Sequence, residues 1–394
     1  MSRSPSKNTS AYSIHNKVEL VRGGKPYFDR LVKMIDDAAV SVHLQVYIFD
    51  DDETGRLVAA ALKRAAGRGV TIFVLADGYA SQSLPDKFVT GLRDAGIQFR
   101  FFEPLLKSQH FYFGRRLHHK VIVTDASYCL VGGINIADRY NDMPGEPAWM
   151  DWGIFVEGEV AAELSRICEA IWQKQKASDQ KKPAPHPVKL SSSLLAQDCP
   201  VRVRRNDWVR KQNQISGSYI EMFHRASEEI IIMSSYFLPG RVLRKKIAAA
   251  SKRGVNIRLI LSGNSDIMLV KYAERYIYRW IFRNKLGLYE YQKNVLHGKL
   301  STYDQKWVTA GSYNVNFLSA YASVELNLDI ADEAFAKIVH HALDDIIQHD
   351  CIEVMEHEFQ KRYNFFQRTM HKIAYEFIQL MFFLFTFYFR PKKE

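Results

Sequence analysis

Residues 118–125 read HHKVIVTD, and after six further residues comes GGIN at 132–135. A second copy, HGKLSTYD at 297–304, is followed at the same spacing by GSYN at 311–314. Each matched position lies 179 residues after its partner, as 297−118, 299−120, 304−125, 311−132 and 314−135 all show. Two matches with the same tail indicate an internal duplication, which brings two His-x-Lys pairs to one place.

The duplication extends to the elements around the motifs. The first half has an apolar strand pattern (Ser41–Phe49), a helix pattern (Glu53–Arg68) and a second strand pattern (Thr71–Ala76), which the second half repeats at Glu229–Phe237, Arg241–Lys252 and Asn256–Leu261. The motifs predict further strands over 117–124 and 296–303. An Arg-Gly-Val tripeptide joins helix to strand in both copies, with glycine where a left-handed helix cap is needed. We predict an α/β protein with two pseudo-symmetric halves, each a mixed sheet flanked by helices.

Composition divides the chain into segments. Residues 174–200 hold Pro183, Pro185 and Pro187 among lysines and serines, which is typical of an extended connector. We therefore expect a polar tail at 1–17, a first half at 18–173, this connector, a second half at 201–350 and a C-terminal segment at 351–394.

The charge balance favours an anionic partner. A net charge of +11 suits a phospholipid surface, a nucleic acid or a phosphate-bearing substrate, although many basic proteins are merely soluble. The four cysteines show no CxxC or metal-ligand spacing and fit buried thiols, with pairing left open. Residues 1–16 lack the apolar run of a secretory signal, and no stretch of about 20 apolar residues predicts a spanning helix.

Strand periodicity gives each His-x-Lys pair a common face. Residues two apart on a strand point the same way, so His118 points with Lys120 and His297 with Lys299. These four side chains are the centre of the predicted active site.

Four carboxylates complete the candidate catalytic set. Asp125 and Asp304 belong to the motifs, but their opposite parity predicts that they fix a turn or bond backbone groups. A histidine needs a partner on its second nitrogen to set its tautomer. Asp151 and Glu325, on strand-like runs downstream of the motifs, align with each other and are the predicted orienting partners.

The GxxN turns supply candidate phosphate ligands. The amides of Asn135 and Asn314 can donate to a phosphate oxygen, and Ser312 adds a hydroxyl. Gly132 and Gly311 let the backbone come close to a ligand. Gly133, the counterpart of Ser312 in the candidate phosphate-binding set, has no hydroxyl to add. The two half-sites are therefore expected to be unequal.

This set suits phosphodiester chemistry without a metal or other cofactor, because the motifs bring no carboxylate cluster to hold one. One neutral histidine would attack phosphorus and form a phosphohistidine. The other, protonated, would protonate the leaving alkoxide and later take a proton from the incoming alcohol. The lysines and asparagines would stabilise charge on the remaining phosphate oxygens.

The doubled motif resembles the signature of the phospholipase D superfamily, the HKD enzymes, over roughly residues 18–345. Within that superfamily the chain is similar to bacterial cardiolipin synthases, most of all the B-type, through ADGY at 76–79, FVEG at 155–158 and LHGK at 296–299. The resemblance implies a duplicated phospholipase D fold with one shared site. It also implies transfer of a phosphatidyl group between two phosphatidylglycerol molecules with release of glycerol. It favours His118 as the nucleophile, and Gly133 departs from the serine of many members.

Basic and aromatic stretches predict membrane contact. Lys271, Arg275, Arg279 and Arg283 recur every four residues, as on a helix lying on an anionic bilayer or on a solvated helix face. Residues 105–116 are a candidate mouth loop. An apolar helical stripe follows near the C-terminus, formed by Phe359, Tyr363, Phe366, Met370, Ile373, Phe377 and Leu380. We expect an interfacial anchor there, with a helix docked on the protein as the alternative.

The expected partners are therefore anionic phospholipids, namely phosphatidylglycerol and cardiolipin, at the cytoplasmic side of a bacterial cell membrane, to which the chain is attached peripherally or monotopically. No nucleic-acid partner is expected, and a homo-oligomer is left open. The alternatives are a phospholipase D-type hydrolase, a nuclease of the same superfamily and a catalytically silent membrane scaffold. The aromatic C-terminus speaks against the nuclease, and the intact motifs speak against the scaffold.

Overall fold

The computed structural model describes residues 11–104, 115–173, 195, 198–210, 212–316, 319–320 and 323–387, with side chains up to 381. Residues 105–114 of the predicted mouth loop and most of the predicted connector lie outside the described residues, as does the end of the chain.

The first half forms a seven-stranded mixed sheet. Its elements are β1 (Asn16–Arg22), α1 (Lys25–Asp37), β2 (Ser41–Val46), α2 (Glu53–Gly67), β3 (Thr71–Asp77), α3 (Asp86–Arg93), β4 (Gln98–Phe102), β5 (Arg116–Leu117), β6 (Lys120–Thr124), β7 (Tyr128–Gly132), β8 (Trp152–Gly158) and α4 (Glu159–Trp172). The strand order is β1-β8-β7-β6-β2-β3-β4. Strands β2, β3 and β4 are parallel, whereas the other neighbours are antiparallel.

The second half repeats this plan. Its elements are β9 (Val201–Asp207), β10 (Gln212–Asn213), α5 (Gln214–Arg225), β11 (Glu229–Ser234), α6 (Arg241–Lys252), β12 (Asn256–Asn264), α7 (Met268–Arg283), β13 (Gly287–Val295), β14 (Lys299–Tyr303), β15 (Trp307–Gly311), β16 (Ser323–Ile330), α8 (Glu333–Asp350), β17 (Cys351–Glu353), α9 (Glu356–Arg362) and α10 (Phe365–Phe387). The order is β10-β9-β16-β15-β14-β11-β12-β13-β17, again with parallel and antiparallel neighbours. The predicted α/β class with two mixed sheets is confirmed.

Local signals placed several elements where the sequence predicts them. Gly69 and Gly254 end their helices with φ of 88° and 95°, a conformation that glycine adopts without steric cost. Asp52 caps α2 by accepting a hydrogen bond from the Gly55 N–H at 2.8 Å. The helix-to-strand junctions of the two halves therefore have the same physical origin.

A single core joins the halves. It contains residues of both sheets together with buried residues of α4 and α8, for example Val121, Val131, Ile154, Leu300, Val308 and Leu326. The opposite sheet faces are covered by α1 to α3 in the first half and by α5 to α7 in the second. Burial on both faces explains why the central strands are almost wholly apolar.

Backbone pairing across the halves positions the motifs. Strand β5 runs parallel to β16, and the N–H groups of His118 and His119 both donate to the Val324 carbonyl, at 3.0 and 3.1 Å. The second motif mirrors this contact, because the His297 N–H donates to the Met150 carbonyl at 2.7 Å. The prediction of continuous strands over 117–124 and 296–303 is therefore wrong at the motif histidines. The intrasheet strands start only at the lysines, because the histidine backbones bond to the other half.

The predicted basic stripe on α7 does not lie on one surface. Lys271 is only 2% exposed, and its ammonium lies 2.8 Å from Glu290, 3.1 Å from Glu274 and 2.7 Å from the Tyr278 hydroxyl. A lysine so placed satisfies its charge inside the protein. The interpretation as a wholly solvent- or lipid-facing stripe is therefore wrong for this residue.

The C-terminal stripe is divided between two helices. Phe359 and Tyr363 are buried, whereas Phe366, Met370, Ile373, Phe377 and Leu380 are exposed. Asn364 and Gln367 make reciprocal side-chain-to-backbone hydrogen bonds of 2.9 and 3.1 Å, the pattern of a helix start, which ends one helix and begins the next. Helix α10 docks on α7 through His371 and Tyr375 and leaves an apolar face uncovered. None of the helices in the described parts of the chain combines the length and apolar character that crossing a bilayer requires.

Candidate active site

The two motif histidines are each held by a carboxylate of the other half. His118 Nδ1 lies 2.9 Å from Glu325 Oε2, and His297 Nδ1 lies 2.6 Å from Asp151 Oδ2. Both carboxylates are buried. A carboxylate on Nδ1 holds that nitrogen protonated and leaves the lone pair on Nε2, which is the tautomer that nucleophilic or base chemistry needs.

Strand register explains why Asp151 and Glu325 are equivalent. Gly132 pairs with Gly153 in the first sheet, and Gly311 pairs with Asn327 in the second. The carboxylates lie two residues before these partners, at the same level and on the same face. Sequence alignment therefore placed them correctly, but it did not show that each serves the histidine of the opposite half.

Burial shapes the charges of the site. It lowers the pKa of His118, which Glu325 opposes and Lys120 reinforces. It also lowers the pKa of His297 well below its ordinary value, with Lys299 and Lys120 adding to the effect. Burial lowers the pKa of Lys120 to about 7 and raises that of Asp151 to about 6. The buried histidines and lysines are therefore harder to protonate in the empty site. An anion that enters the site would stabilise their protonated forms.

The two lysines have unlike neighbours that the sequence interpretation missed. The Lys120 ammonium lies 5.1 Å from the centre of the Tyr47 ring, whereas that of Lys299 lies 3.1 Å from Ser235 Oγ. Tyr47 and Ser235 occupy equivalent positions in the two halves. The register between β2 and β6 is the same as the register between β11 and β14, and the two residues follow directly after β2 and β11, respectively. Both positions fall inside the predicted apolar runs, so aligning the two runs was the available signal.

Aromatic side chains line the second histidine. The rings of Tyr140 and Trp149 lie 5.1 and 6.1 Å from that of His297, and Tyr47 lies 4.9 Å from His118 in the same manner. These rings restrict water around both imidazoles, which strengthens the electrostatic interactions between the charged groups.

The two asparagines are near the motifs but differ in their hydrogen-bond partners. Asn135 Oδ1 accepts a hydrogen bond from the Ile48 N–H at 3.0 Å, and the side chain also hydrogen-bonds with Tyr140. Because an amide nitrogen carries two N–H groups, one of them remains for an anion. The buried Oδ1 of Asn314 has no hydrogen-bond partner among the described residues. Because the oxygen and nitrogen of an amide can be exchanged by a flip, this side chain is able to turn either end to a ligand.

The predicted phosphate-binding role of Ser312 and Gly133 is not supported by their contacts. Ser312 Oγ donates to Glu325, so it braces the carboxylate behind His118. A Cβ on Gly133 would lie 2.4 Å from Asp151 Oδ2. Gly133 makes room for Asp151, the shorter of the two carboxylates. Gly133 and Ser312 therefore differ because the first half holds its carboxylate by leaving space and the second half by a hydrogen bond.

Asp125 and Asp304 lie at the far end of the motif strands, about 16 Å from the lysines at a rise of about 3.3 Å per residue. Asp125 accepts hydrogen bonds from the N–H groups of Ala39, Val40 and Ser41 at 2.8–2.9 Å. Asp304 does the same for Ser227, Glu228 and Glu229. Both begin tight hairpin turns with φ of 53° and 47°. Their inclusion in the catalytic set is wrong on this geometry, whereas the predicted turn role agrees with it.

The matching family description is "Cardiolipin synthase, PLD-like domain", which covers residues 31–172 and 219–347. The chain belongs to this PLD-like family.

Particular relatives extend the likeness over most of the chain. Cardiolipin synthase B of Salmonella typhi is 32% identical over 377 residues, covering 92% of this chain and 88% of the relative. Cardiolipin synthase A of Pseudomonas fluorescens (strain SBW25) is 30% identical over 333 residues, covering 84% and 68%. The predicted resemblance to the B-type is thereby confirmed.

A solved structure shares the fold. The phosphatidylserine synthase of Haemophilus influenzae Rd KW20 superposes with a TM-score of 0.70 at 14% identity and covers 94% of this chain and 95% of its own. The duplicated fold is thus found in a protein of low sequence similarity.

Proposed function

We propose that this chain is a cardiolipin synthase, which transfers a phosphatidyl group from one phosphatidylglycerol to a hydroxyl of a second and releases glycerol. The observation that carries the proposal is that both His-Lys pairs meet in one site, each histidine held by a carboxylate of the other half. The phosphatidyltransferase class is supported by the family description and by relatives named cardiolipin synthase.

The first half-reaction forms a covalent intermediate. His118 Nε2 attacks phosphorus, the bond from phosphorus to the glycerol oxygen breaks, and His297 gives its proton to the departing alkoxide. In the second half-reaction the hydroxyl of another phosphatidylglycerol attacks phosphorus. His297 takes the hydroxyl proton, and the phosphorus–nitrogen bond breaks to restore His118.

The surroundings of the histidines support this division of roles. Attack on phosphorus makes the His118 ring cationic, and the buried Glu325 beside Nδ1 stabilises that charge. His297 lies among Lys299, Lys120 and other cations that lower its pKa, which makes its imidazolium a stronger acid. The anionic phosphodiester counters these cations when it binds, so His297 holds a proton in the loaded site.

The lysines are proposed to stabilise the transition state. Charge develops on the phosphate oxygens as the nucleophile approaches, and two ammonium groups fixed beside the histidines need no reorganisation to meet it. The amides of Asn135 and Asn314 are proposed to complete this set of donors.

Product analysis tests the reaction. Purified enzyme with phosphatidylglycerol as the sole lipid should give cardiolipin and glycerol in equal amounts by mass spectrometry. Phosphatidic acid without cardiolipin would show that water is the acceptor and that the chain is a hydrolase.

Trapping tests the intermediate. Acid-labile, base-stable label from phosphorus-labelled phosphatidylglycerol should be found on His118 when the parent enzyme is quenched during turnover, and it should be absent in His118→Ala. Label that survives in His118→Ala would reverse the roles. Near-normal turnover in either His118→Ala or His297→Ala would remove the shared-site mechanism.

Membrane association is proposed for the same chain. The net charge of +11 and the exposed apolar face of α10 support attachment to the anionic cytoplasmic surface of a bacterial cell membrane. Phosphatidylglycerol and cardiolipin are the proposed lipids.

A further inference from the structure

A cavity of about 210 Å³ lies between α7 and α10. Four of its lining side chains are cationic, and Thr369 and Phe365 also face it; the cations are Arg275, Arg279, Arg368 and Lys372. None of the candidate catalytic residues lines this cavity. It is therefore a separate site on the docked C-terminal helix.

The cations in this cavity lack close ion pairs with the described residues, although Arg275 is near enough to the buried Glu290 to help lower the pKa of that carboxyl. None of the four forms a salt bridge within the described parts of the chain. The Nε of Arg275 is buried without a hydrogen-bond partner, although its guanidinium lies 5.4 Å from the Tyr363 ring centre. Arg368 donates to the Gln360 carbonyl but keeps further N–H groups. Four like charges around one small cavity repel each other unless an anion enters.

The apolar surroundings favour a lipid over a free anion. Phe365, on the cavity wall, is 86% exposed, and Phe366 and Ile373 on the same helix are 72% and 55% exposed. The cavity is smaller than the roughly 300–1,000 Å³ of pockets that enclose whole ligands. A phosphate group fits inside it, while acyl chains would lie outside, against the exposed apolar side chains.

We propose that this cavity binds the phosphate headgroup of an anionic phospholipid, at a second lipid site distinct from the catalytic one. Arginine suits this task because its planar fork donates to two phosphate oxygens at once. The site goes beyond the proposed reaction, since it holds a lipid whether or not the catalytic site makes cardiolipin. It would make α10 attach more strongly to an anionic membrane than to a neutral one.

Vesicle flotation with the full chain tests the charge requirement. The variant Arg279→Gln/Arg368→Gln/Lys372→Gln changes side chains that reach solvent. It should lower the preference for phosphatidylglycerol-containing over pure phosphatidylcholine vesicles on the order of 100-fold, because each cation near an anionic surface contributes about fivefold.

A matched variant controls for the loss of net charge. Lys63→Gln/Lys87→Gln/Lys337→Gln removes three exposed cations from other elements and should keep the preference within about threefold of the parent. Both variants should melt at the parent temperature. A parent-like preference in the variant Arg279→Gln/Arg368→Gln/Lys372→Gln, or an equal loss in the control, would overturn the proposal.

The apolar face is tested separately. Phe366→Ser/Ile373→Ser changes two residues outside the cavity and should weaken binding to both vesicle types while keeping their ratio. A selective loss of phosphatidylglycerol binding would instead contradict the assignment of selectivity to the cations.

Calorimetry distinguishes a lipid headgroup from free phosphate. Below its micellar concentration, dihexanoyl phosphatidylglycerol should bind at two sites in the parent and at one in the variant Arg279→Gln/Arg368→Gln/Lys372→Gln. Inorganic phosphate should bind the cavity more weakly than this lipid. A single lipid site in the parent, or equal affinity for inorganic phosphate, would refute the second lipid site.

Discussion

Replacing Gly133 with serine tests how the site is built, because it gives the first half the residue that the second half carries. A Cβ at Gly133 would lie 2.4 Å from Asp151 Oδ2, 2.7 Å from Oδ1 and 2.9 Å from Cγ. Ordinary contacts begin at 3.4 Å, so the carboxylate must move by about 1 Å. The bond to His297, now 2.6 Å, would lengthen beyond hydrogen-bond range.

The expected result is a loss of turnover with a smaller loss of stability. A misplacement of about 1 Å in a catalytic group costs about 100-fold in rate. Overpacking a filled site lowers the free energy of unfolding by about 1–3 kcal/mol. Initial rates on phosphatidylglycerol at saturating substrate, together with thermal melts of the same preparations, separate the two effects.

A compensating change identifies the cause. Gly133→Ser combined with Asp151→Glu copies the Ser312–Glu325 pair, so the double variant should be at least about tenfold faster than the single one. Ser312→Gly is the matched control, because it removes a hydroxyl and introduces no clash. Parent-like turnover in Gly133→Ser would refute the steric argument, and a double variant no faster than the single one would refute the pairing of residue sizes.

Three further outcomes are expected. Glu325→Gln should lower turnover about 100- to 10,000-fold with little change in melting temperature, because a neutral amide no longer stabilises a charged His118; unchanged rates would show that the contact does not orient the histidine. Asp304→Asn should instead lower the free energy of unfolding by about 1–2 kcal/mol and spare turnover, which urea melts and rate assays check together. Burial opposes ionisation of Asp304, but hydrogen bonds from three backbone N–H groups outweigh it and lower its pKa. Its stabilising contribution is therefore present above the unfolded pKa of about 3.9 and is lost as pH falls through the lower folded value. The free energies of unfolding of the parent and Asp304→Asn should thus converge in acid. A difference that persists there would show that the ionised carboxylate is not its origin. Deleting residues 380–394 should weaken partition into anionic liposomes and preserve the fold, and equal partition would argue against the anchor.

The elements that carry local signals could be predicted from the sequence. The 179-residue repeat showed the duplication, and helix Arg241–Lys252 was predicted with its observed bounds because it lies between clear start and stop signals. Periodicity also separated Lys120, which begins strand β6, from Asp125, which lies in the turn directly after that strand. These features depend on residues close together in the chain.

The partners of the catalytic residues depended on the tertiary structure. Periodicity shows which side chains share a face, but not which other surface that face meets. For that reason Glu325 could be recognised as a candidate partner, but its place beside His118 in the other half could not. The same limit explains why the predicted role of Ser312 failed, since its hydroxyl donates to Glu325 and not toward a phosphate site. It also explains why the regular spacing of Lys271 did not reveal that this side chain is buried. The repeat specified two related half-sites, and packing one half against the other determined which carboxylate holds each histidine.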